Sequence, residues 1–285
     1  MELPVHAAKT RPQNNQSNQI VPAQSLSGWH AVPRLPTAPY PGADEPSTVS
    51  ERYRSAQENP ARWYVSEGAI VGEQAPNGGG FGGYLVTDEV FGDFELLIEA
   101  RPDWPADTGI MVRSTGLGSQ GFQILLDHRK SGGIGGFYGN GTGGFHALSY
   151  NVDVRHGPDG QPEALIEEDA ATTLEPVTEQ KRQLLAFAAP PAVFFDAWHW
   201  GSWNSFRIRC EGRYPVLTTW VNGERTYELD TGTIEHPNYD AEAVAQLLGR
   251  QGHIALEVHD TDRLGSARWG DGACCRWRNI KLSAL

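Results

Sequence analysis

Long apolar runs are missing from this sequence. No stretch of about 18 apolar residues occurs among its 285, so no helical membrane span is expected. Cysteine is scarce. Cys210, Cys274 and Cys275 are the only three, two of them adjacent, which excludes a disulfide framework. They form no CxxC pair, and we read them as small core or edge residues rather than reactive thiols. Positive charge is in deficit: 23 Lys and Arg against 35 Asp and Glu give a formal net charge of −12. That balance argues against nucleic acid or an anionic membrane as partner and suits a neutral or cationic small molecule. The opening "MELPVHAAKTRPQNNQ" lacks the apolar h-region of a secretory signal, giving an expectation of a cytoplasmic protein. A signal removed beforehand would leave the same picture. No repeat of 20 to 50 residues is present, which argues against a propeller or solenoid.

What the sequence does have is punctuation. Its 33 glycines and 19 prolines are spread between short apolar runs, a pattern of strands joined by turns. Residues 1–20, rich in Gln, Asn and Pro, read as a flexible tail, and residues 21–285 as a single domain. "SLSGWHAVPR" supplies a first strand. A Pro-rich loop follows, closed by a helical turn near "SERYRSAQEN". Strands then come at regular spacing: "RWYVSEGAIVGE", "GGYLVTDEVF", "DFELLIEARP", "TGIMVRS", "GFQILLDH" and "IGGFYGN". Over residues 155–198 the rhythm breaks, and "EALIEEDAATTLEPVTEQKRQLLAFAAPP" suits a helix or irregular insertion better than a strand. Strands resume at "NSFRIRC" and "VLTTWVNGERTYEL", where Asn222-Gly223 signals a two-residue type I′ hairpin. "AEAVAQLLGR" is a short amphipathic helix, and "HIALEVHD" and "CCRWRNIKLSAL" close the chain. The order predicts an all-β fold, a two-layer antiparallel sandwich with a partly helical insertion.

Side chains alternate across a strand, so "HIALEVHD" buries Ile254, Leu256 and Val258 and presents His253, Glu257 and His259 on its other face. "TGIMVRS" repeats the design, with Ile110 and Val112 inward and Arg113 outward. So does "GFQILLDH", with Phe122, Ile124 and Leu126 against Gln123, Leu125 and Asp127. Three strands with ionisable groups on one face predict a shared site, with Arg113, Asp127, Glu257 and His259 opening into one cleft. His128 falls on the core side by strict alternation. The glycine-rich "HRKSGGIGGFYGNGTGGF" has neither the GK[ST] ending nor the following helix of a phosphate loop, and reads instead as a wall carrying Tyr138 and His146. Trp104 and "FFDAWHWGSW" are candidate sugar platforms, the latter as an aromatic wall at the cleft rim, while Trp63 and Trp220 are assigned to the core.

In order, "SLSGW", "GGYLVTDEVFGDFELLIEAR", "DTGIMVRS", "GFQILLDH", "WVNGE", "GHIALEVHD" and "RWRNIKL" resemble the 3-keto-disaccharide hydrolase domain family over about residues 20–285, the 155–198 insertion excepted. The resemblance implies a concanavalin-like jelly roll and a small-molecule carbohydrate substrate. The family's Asn-Ser-Gly corresponds to Asp107-Thr108-Gly109, and the Arg of that strand to Arg113. Its strand of Glu, Gln and Asp has Gln123, Leu125 and Asp127 here, and its Leu-Gln-x-His becomes Leu256-Glu257-Val258-His259. Gln123 and Glu257 thus exchange acid and amide relative to the family, and Leu125 removes a polar group.

The implied reaction is cleavage of 3-keto glycosides. A ketone at C3 acidifies the C2 proton, a base removes it, and the C1 substituent leaves by β-elimination, after which water can add. This needs a base active near neutrality, a donor for the enolate oxygen and an acid for the leaving group. We expect His259 as base, Arg113 beside the enolate, and Glu257 or Asp127 as orienting group or acid. Gln123, His128, Tyr138, His146, Asp107 and Trp104 are the expected substrate contacts. No cofactor is required by the pattern. A divalent metal could take the place of Arg113, with Asp127, His128, Glu257 and His259 as suitable ligand types, but no spacing identifies a metal site. Two other readings are a carbohydrate-binding module and a conventional retaining glycosidase. The latter needs carboxylates about 5 to 5.5 Å apart, which neither Glu95 and Glu99 nor "IEEDA" supplies as a placed pair.

Overall fold

The computed structural model describes residues 18–19, 25–74, 80–261 and 272–285. Of the expected flexible tail, all but Asn18–Gln19 lies outside the described residues. In the first half of the chain the strands are β1 (Asn18–Gln19), β2 (Trp29–Pro33), β3 (Arg62–Ser66), β4 (Ala69–Glu73), β5 (Gly83–Thr87), β6 (Phe94–Pro102), β7 (Thr108–Ser114), β8 (Gly121–Leu126) and β9 (Ile134–Asn140), with helix α1 (Glu51–Glu58). The second half adds β10 (His146–Ala147), β11 (Val152–His156), β12 (Pro162–Glu167), α2 (Glu179–Gln183), β13 (Phe187–Ala188), α3 (Pro191–Ala197), β14 (Asn204–Glu211), β15 (Val216–Val221), β16 (Glu224–Asp230), α4 (Ala241–Leu248), β17 (His253–Val258) and β18 (Cys274–Ala284).

Two antiparallel sheets form the sandwich. One runs β10-β9-β8-β7-β17-β5-β2; the other runs β13-β16-β15-β14-β6-β18-β4-β3, with β1 pairing on β18. This is the expected concanavalin-like jelly roll. Alternation supplies its core: Leu85, Ile110, Val112, Phe122, Ile124, Ile254 and Leu256 of the first sheet meet Leu96, Ile98, Phe206, Ile208 and Trp277 of the second. Asn222 and Gly223 both take positive φ, as a type I′ hairpin requires.

The insertion departs from expectation in part. "EALIEE" is not helical: β12 pairs with β11 as a separate hairpin, and the helix is confined to α2 and α3. Of β12 only Leu165 is buried, beside Val154 of β11, while Glu163, Ile166 and Glu167 are exposed, so this strand covers little and its apolar spacing is not that of a core element. The aromatic run does not form a cleft wall. Phe194 stacks on Tyr150 and packs against Trp198 in the core, while Trp198 and Trp200 close over His128. Trp220, assigned to the core, lies on the outer face of the second sheet with the Arg207 guanidinium 3.6 Å from its ring centre.

Candidate active site

Register places the site. β7 and β8 face each other with Gly109 opposite Leu125, and the bridge between Ala106 and His128 continues the same ladder, so Asp107 stands directly opposite Asp127. On the other side of β7, Glu257 is opposite Gly109 and Val258 opposite Thr108, which carries His259 to the level of Asp107. The His259 N–H donates to the Asp107 carbonyl at 3.1 Å, although His259 lies just past the end of β17. Extending the β17–β5 and β5–β2 registers in the same way brings Gly82 and then Arg34 to this level. Arg34, Gly82, His259, Asp107 and Asp127 therefore form one row across five strands on the outer face of the first sheet. Gly82 leaves a gap in that row. A Cβ there would run into the backbone of Val258 and, at 2.6 Å, the amide nitrogen of Asp260.

Arg34 fills the gap. Its Nε donates to Glu257 at 3.0 Å, one terminal nitrogen to Asp260 at 2.5 Å, and the other lies 2.9 Å from His259 Nε2. His259 Nδ1 is 2.6 Å from the Asp260 carbonyl oxygen. A guanidinium can only donate and a carbonyl can only accept, so both contacts select one tautomer. Nδ1 carries the hydrogen and Nε2 keeps a lone pair facing Arg34. Asp260 is also clamped by Arg52 of α1 at 2.5 Å, tying the Pro-rich segment to the site.

Glu257 lies one step further along β17 and is wholly enclosed. Besides Arg34 it accepts from the Tyr84 hydroxyl at 3.0 Å and, closely, from the Gln123 amide. Gln123 is on β8, so its side chain must cross β7, and it does so over Gly109, where a Cβ would collide with the Gln123 amide. The acid and amide whose exchange the sequence resemblance implied are thus bonded partners. The exchange keeps one carboxylate and one amide in the pair. Burial, then the Glu257 charge, push the Tyr84 hydroxyl well above its usual range, so it stays a donor.

At the other end of the row, the Arg129 Nε donates to Asp107 at 2.7 Å, and its terminal nitrogens approach Asp127 at 3.4 Å and Glu175 at 3.3 Å. Burial opposes charge on Asp107, but Arg129 outweighs it and holds that carboxyl below the usual range. Burial and the Asp107 charge push Asp127 well above it. Tyr138 and His146 pair across β9 and β10 with ring centres 4.5 Å apart, and Tyr138 neighbours Gln123 in the ladder. Burial, with Lys181 and Arg129 adding to it, lowers His146 to about 4. Lys181 belongs to α2, so the insertion reaches the rim of the site through Lys181 and Glu175 rather than through its aromatic run.

Three expected site residues are elsewhere. Arg113 is turned into the core: two residues, Val112 and Arg113, oppose one on β17, and Arg113 has φ of 50°. This β-bulge breaks alternation and sends the guanidinium between the sheets. There it reaches Asp93 at 3.2 Å and the Cys210 sulfur at 3.5 Å. His128 follows alternation to the core side, enclosed by Trp104, Trp198 and Trp200 with Nδ1 on the Asp103 carbonyl, and burial lowers it to about 4. Trp104 belongs to that box and not to the row. Arg34, Tyr84, Arg129 and Asp260 were not anticipated. The paired glycines of "FGGYLV" were the available signal that something reaches across β5.

The suggested ligand types for a divalent ion do not converge. His128 is on the far side of the sheet from Glu257, whose donors are Arg34, Tyr84 and Gln123. Among the described residues no group of three or more His, Cys, Asp or Glu side chains is arranged to hold a metal. Glu95 and Glu99 lie on β6 of the other sheet, paired with Arg207 and Arg278. Glu99, without Glu95, lines a hollow of ≈ 420 Å³ on that sheet's outer face, and no histidine is among the lining residues.

The fold and site define a jelly-roll protein with a histidine–arginine–carboxylate row on one sheet. The chain belongs to the 3-keto-alpha-glucoside-1,2-lyase-like domain family, whose model matches residues 17–283. Comparison with curated protein sequences gave no match. Among solved structures it is similar to a Parabacteroides distasonis protein carrying the name "putative glycosyl hydrolase", at 15% identity over 95% of each chain with a TM-score of 0.45. A second protein of that name from the same organism is 17% identical over 80% of this chain and 95% of its own, with a TM-score of 0.42. A carbohydrate-binding module from Bacillus subtilis is 10% identical over 79% of this chain and 92% of its own, at a TM-score of 0.42.

Proposed function

We propose that this protein cleaves 3-keto glycosides by removing the C2 proton and eliminating the C1 substituent, with water able to add across the enone that forms. Family membership supports the substrate class. The observation that carries the chemistry is the fixed tautomer of His259, with its Nε2 lone pair 2.9 Å from the Arg34 guanidinium. His259 Nε2 takes the C2 proton as the C2–H electron pair becomes the C2=C3 bond of an enolate. Arg34 passes from Nε2 to the C3 oxygen and balances the charge that develops there, the part first expected of Arg113. When the enolate collapses, the C3 carbonyl re-forms, the C1=C2 bond forms and the C1–O bond breaks.

The remaining residues hold this pair in place. Glu257 is enclosed and acts as a positioning residue, fixing Arg34 through Nε while Tyr84 and Gln123 fix Glu257. Tyr138 and His146 border the row where the sugar would lie. Offering the protein a 3-keto glucoside beside the same glucoside unoxidised at C3 tests the reading. We expect alcohol release and enone absorbance from the oxidised substrate alone, and Arg34→Ala to lose about 10² to 10³ in kcat, the loss typical for removing one charge-stabilising donor. Equal cleavage of the unoxidised glucoside would show that the ketone plays no part.

A further inference from the structure

Asp107 and Asp127 are a buried carboxylate pair that the base and the enolate donor leave unused. They stand opposite each other on β7 and β8. Because Ala106 and His128 exchange both backbone hydrogen bonds, at 3.0 and 2.8 Å, the Asp107–Asp127 position is the close-packed type of antiparallel pair. Two like charges directly opposite each other in a buried position destabilise a sheet, so the stable arrangement of two such acids shares one proton. The surroundings decide which acid carries it. Arg129 Nε is on Asp107 at 2.7 Å, whereas Asp127 receives only a long contact of 3.4 Å. Asp127 Oδ1 is enclosed and receives no N–H or O–H donor among the described residues, while the Asp107 and Asp127 carboxyls lie within hydrogen-bonding reach of each other. Two ionised carboxylates would set acceptor against acceptor, whereas a protonated Asp127 donates to the Asp107 carboxylate. Glu175 lies against the same Arg129 and adds negative charge that keeps the proton on Asp127. Both Asp side chains retain about a tenth of their surface exposed, so the pair borders the site without being sealed from it.

Asp127 is two strands from His259 in the same row, roughly 9 to 10 Å between backbone positions. That span is suited to a base at C2 and an acid at the oxygen on C1. We propose that Asp127 is the general acid of the reaction and that Asp107, held ionised by Arg129, is the residue that keeps the proton on it. Asp127 O–H gives its proton to the glycosidic oxygen as the C1–O bond breaks, so the alcohol leaves neutral and Asp127 becomes a carboxylate. When water adds to the enone, its hydroxyl oxygen bonds to C1, one water proton returns to Asp127, and His259 returns the proton to C2. The assignment rests on the elimination reading above.

The test compares two 3-keto glucosides, one releasing 4-nitrophenol, which departs as an anion, and one releasing an alkyl alcohol, which must be protonated. Asp127→Asn should lose about 10² to 10⁴ in kcat on the alkyl substrate and less than about tenfold on the nitrophenyl one. Asp107→Asn should show the same selectivity with a smaller loss. Exchange of the C2 hydrogen with heavy water in Asp127→Asn reports whether the base arm is intact, and continued exchange is the expected result. Equal losses on both leaving groups, or loss of exchange, would overturn the assignment and make the pair a structural brace. An unchanged rate on the alkyl substrate would overturn it too. A wild-type protein that turns over neither substrate overturns the elimination reading itself, a result distinct from any of these.

Discussion

Exchanging Gln123 and Glu257 tests whether they are one unit. Glu257 accepts from three donors, Arg34, Tyr84 and Gln123, while itself fully enclosed. In Glu257→Gln one amide oxygen replaces two carboxylate oxygens, and the new NH2 points at donors with no acceptor. Removing one partner of a buried ion pair costs about 3 to 5 kcal/mol. At about 2 to 4 °C per kcal/mol for a domain of this size, that is a fall in Tm of about 6 to 20 °C. Gln123→Glu alone sets two carboxylates in contact in a closed site, at a comparable cost. The double variant restores one acid and one amide, with their positions exchanged. Contacting residues couple by up to about 3 kcal/mol, so the double variant should recover about 6 to 12 °C relative to the sum of the singles. Thermal melts of the four proteins measure this directly. Strict additivity would refute the idea that the pair bonds across Gly109.

Gly109→Ala should act through the same pair: the new Cβ displaces the Gln123 amide and leaves Glu257 short of a donor. A loss of about 1 to 3 kcal/mol is expected in denaturant unfolding, and a loss that persists undiminished in the Gln123→Ala background would point to another cause. His128 gives a pH signature. Burial takes it to about 4 from an ordinary 6.5, so between those values the unfolded chain binds a proton that the folded one does not, and stability falls as pH falls through that window. That loss across the window is on the order of 3 kcal/mol. His128→Phe should lack that part of the acid sensitivity; matching pH slopes in the two proteins would be the contrary result. Arg34→Lys keeps the charge but cannot hold Glu257, Asp260 and His259 at once, and should lose most of the activity that Arg34→Ala loses. Activity near wild type would mean that a point charge suffices.

Much of this was legible in the sequence because alternation is a local property. The faces of Gln123, Asp127 and Glu257 follow from their strands, and the core position of His128 does too. Arg113 was misread because one extra residue opposite β17 shifts the phase, and nothing in "TGIMVRS" marks a bulge. Arg34 was missed for a different reason. It follows a short edge strand, and its partnership with His259 depends on the registers of β2 on β5 and β5 on β17, which are long-range. The exchange of acid and amide at 123 and 257 could be seen in the sequence, but its meaning required the contact over Gly109. In the insertion, the dense aromatics read as a surface platform, whereas Phe194 and Trp198 close the core and the rim is reached by Lys181 and Glu175.

The central claim is that His259 removes the C2 proton of a 3-keto glycoside. It is tested most directly by incubating such a substrate with the protein in heavy water and following deuterium at C2 by NMR, in recovered substrate and in released sugar. Wild type should place deuterium at C2. His259→Ala, with its fold confirmed by an unchanged melt of the jelly-roll core, should lose both the label and turnover by about 10² to 10⁴. Sugar released by the wild type without any deuterium at C2, or labelling at an undiminished rate in His259→Ala, would contradict the account.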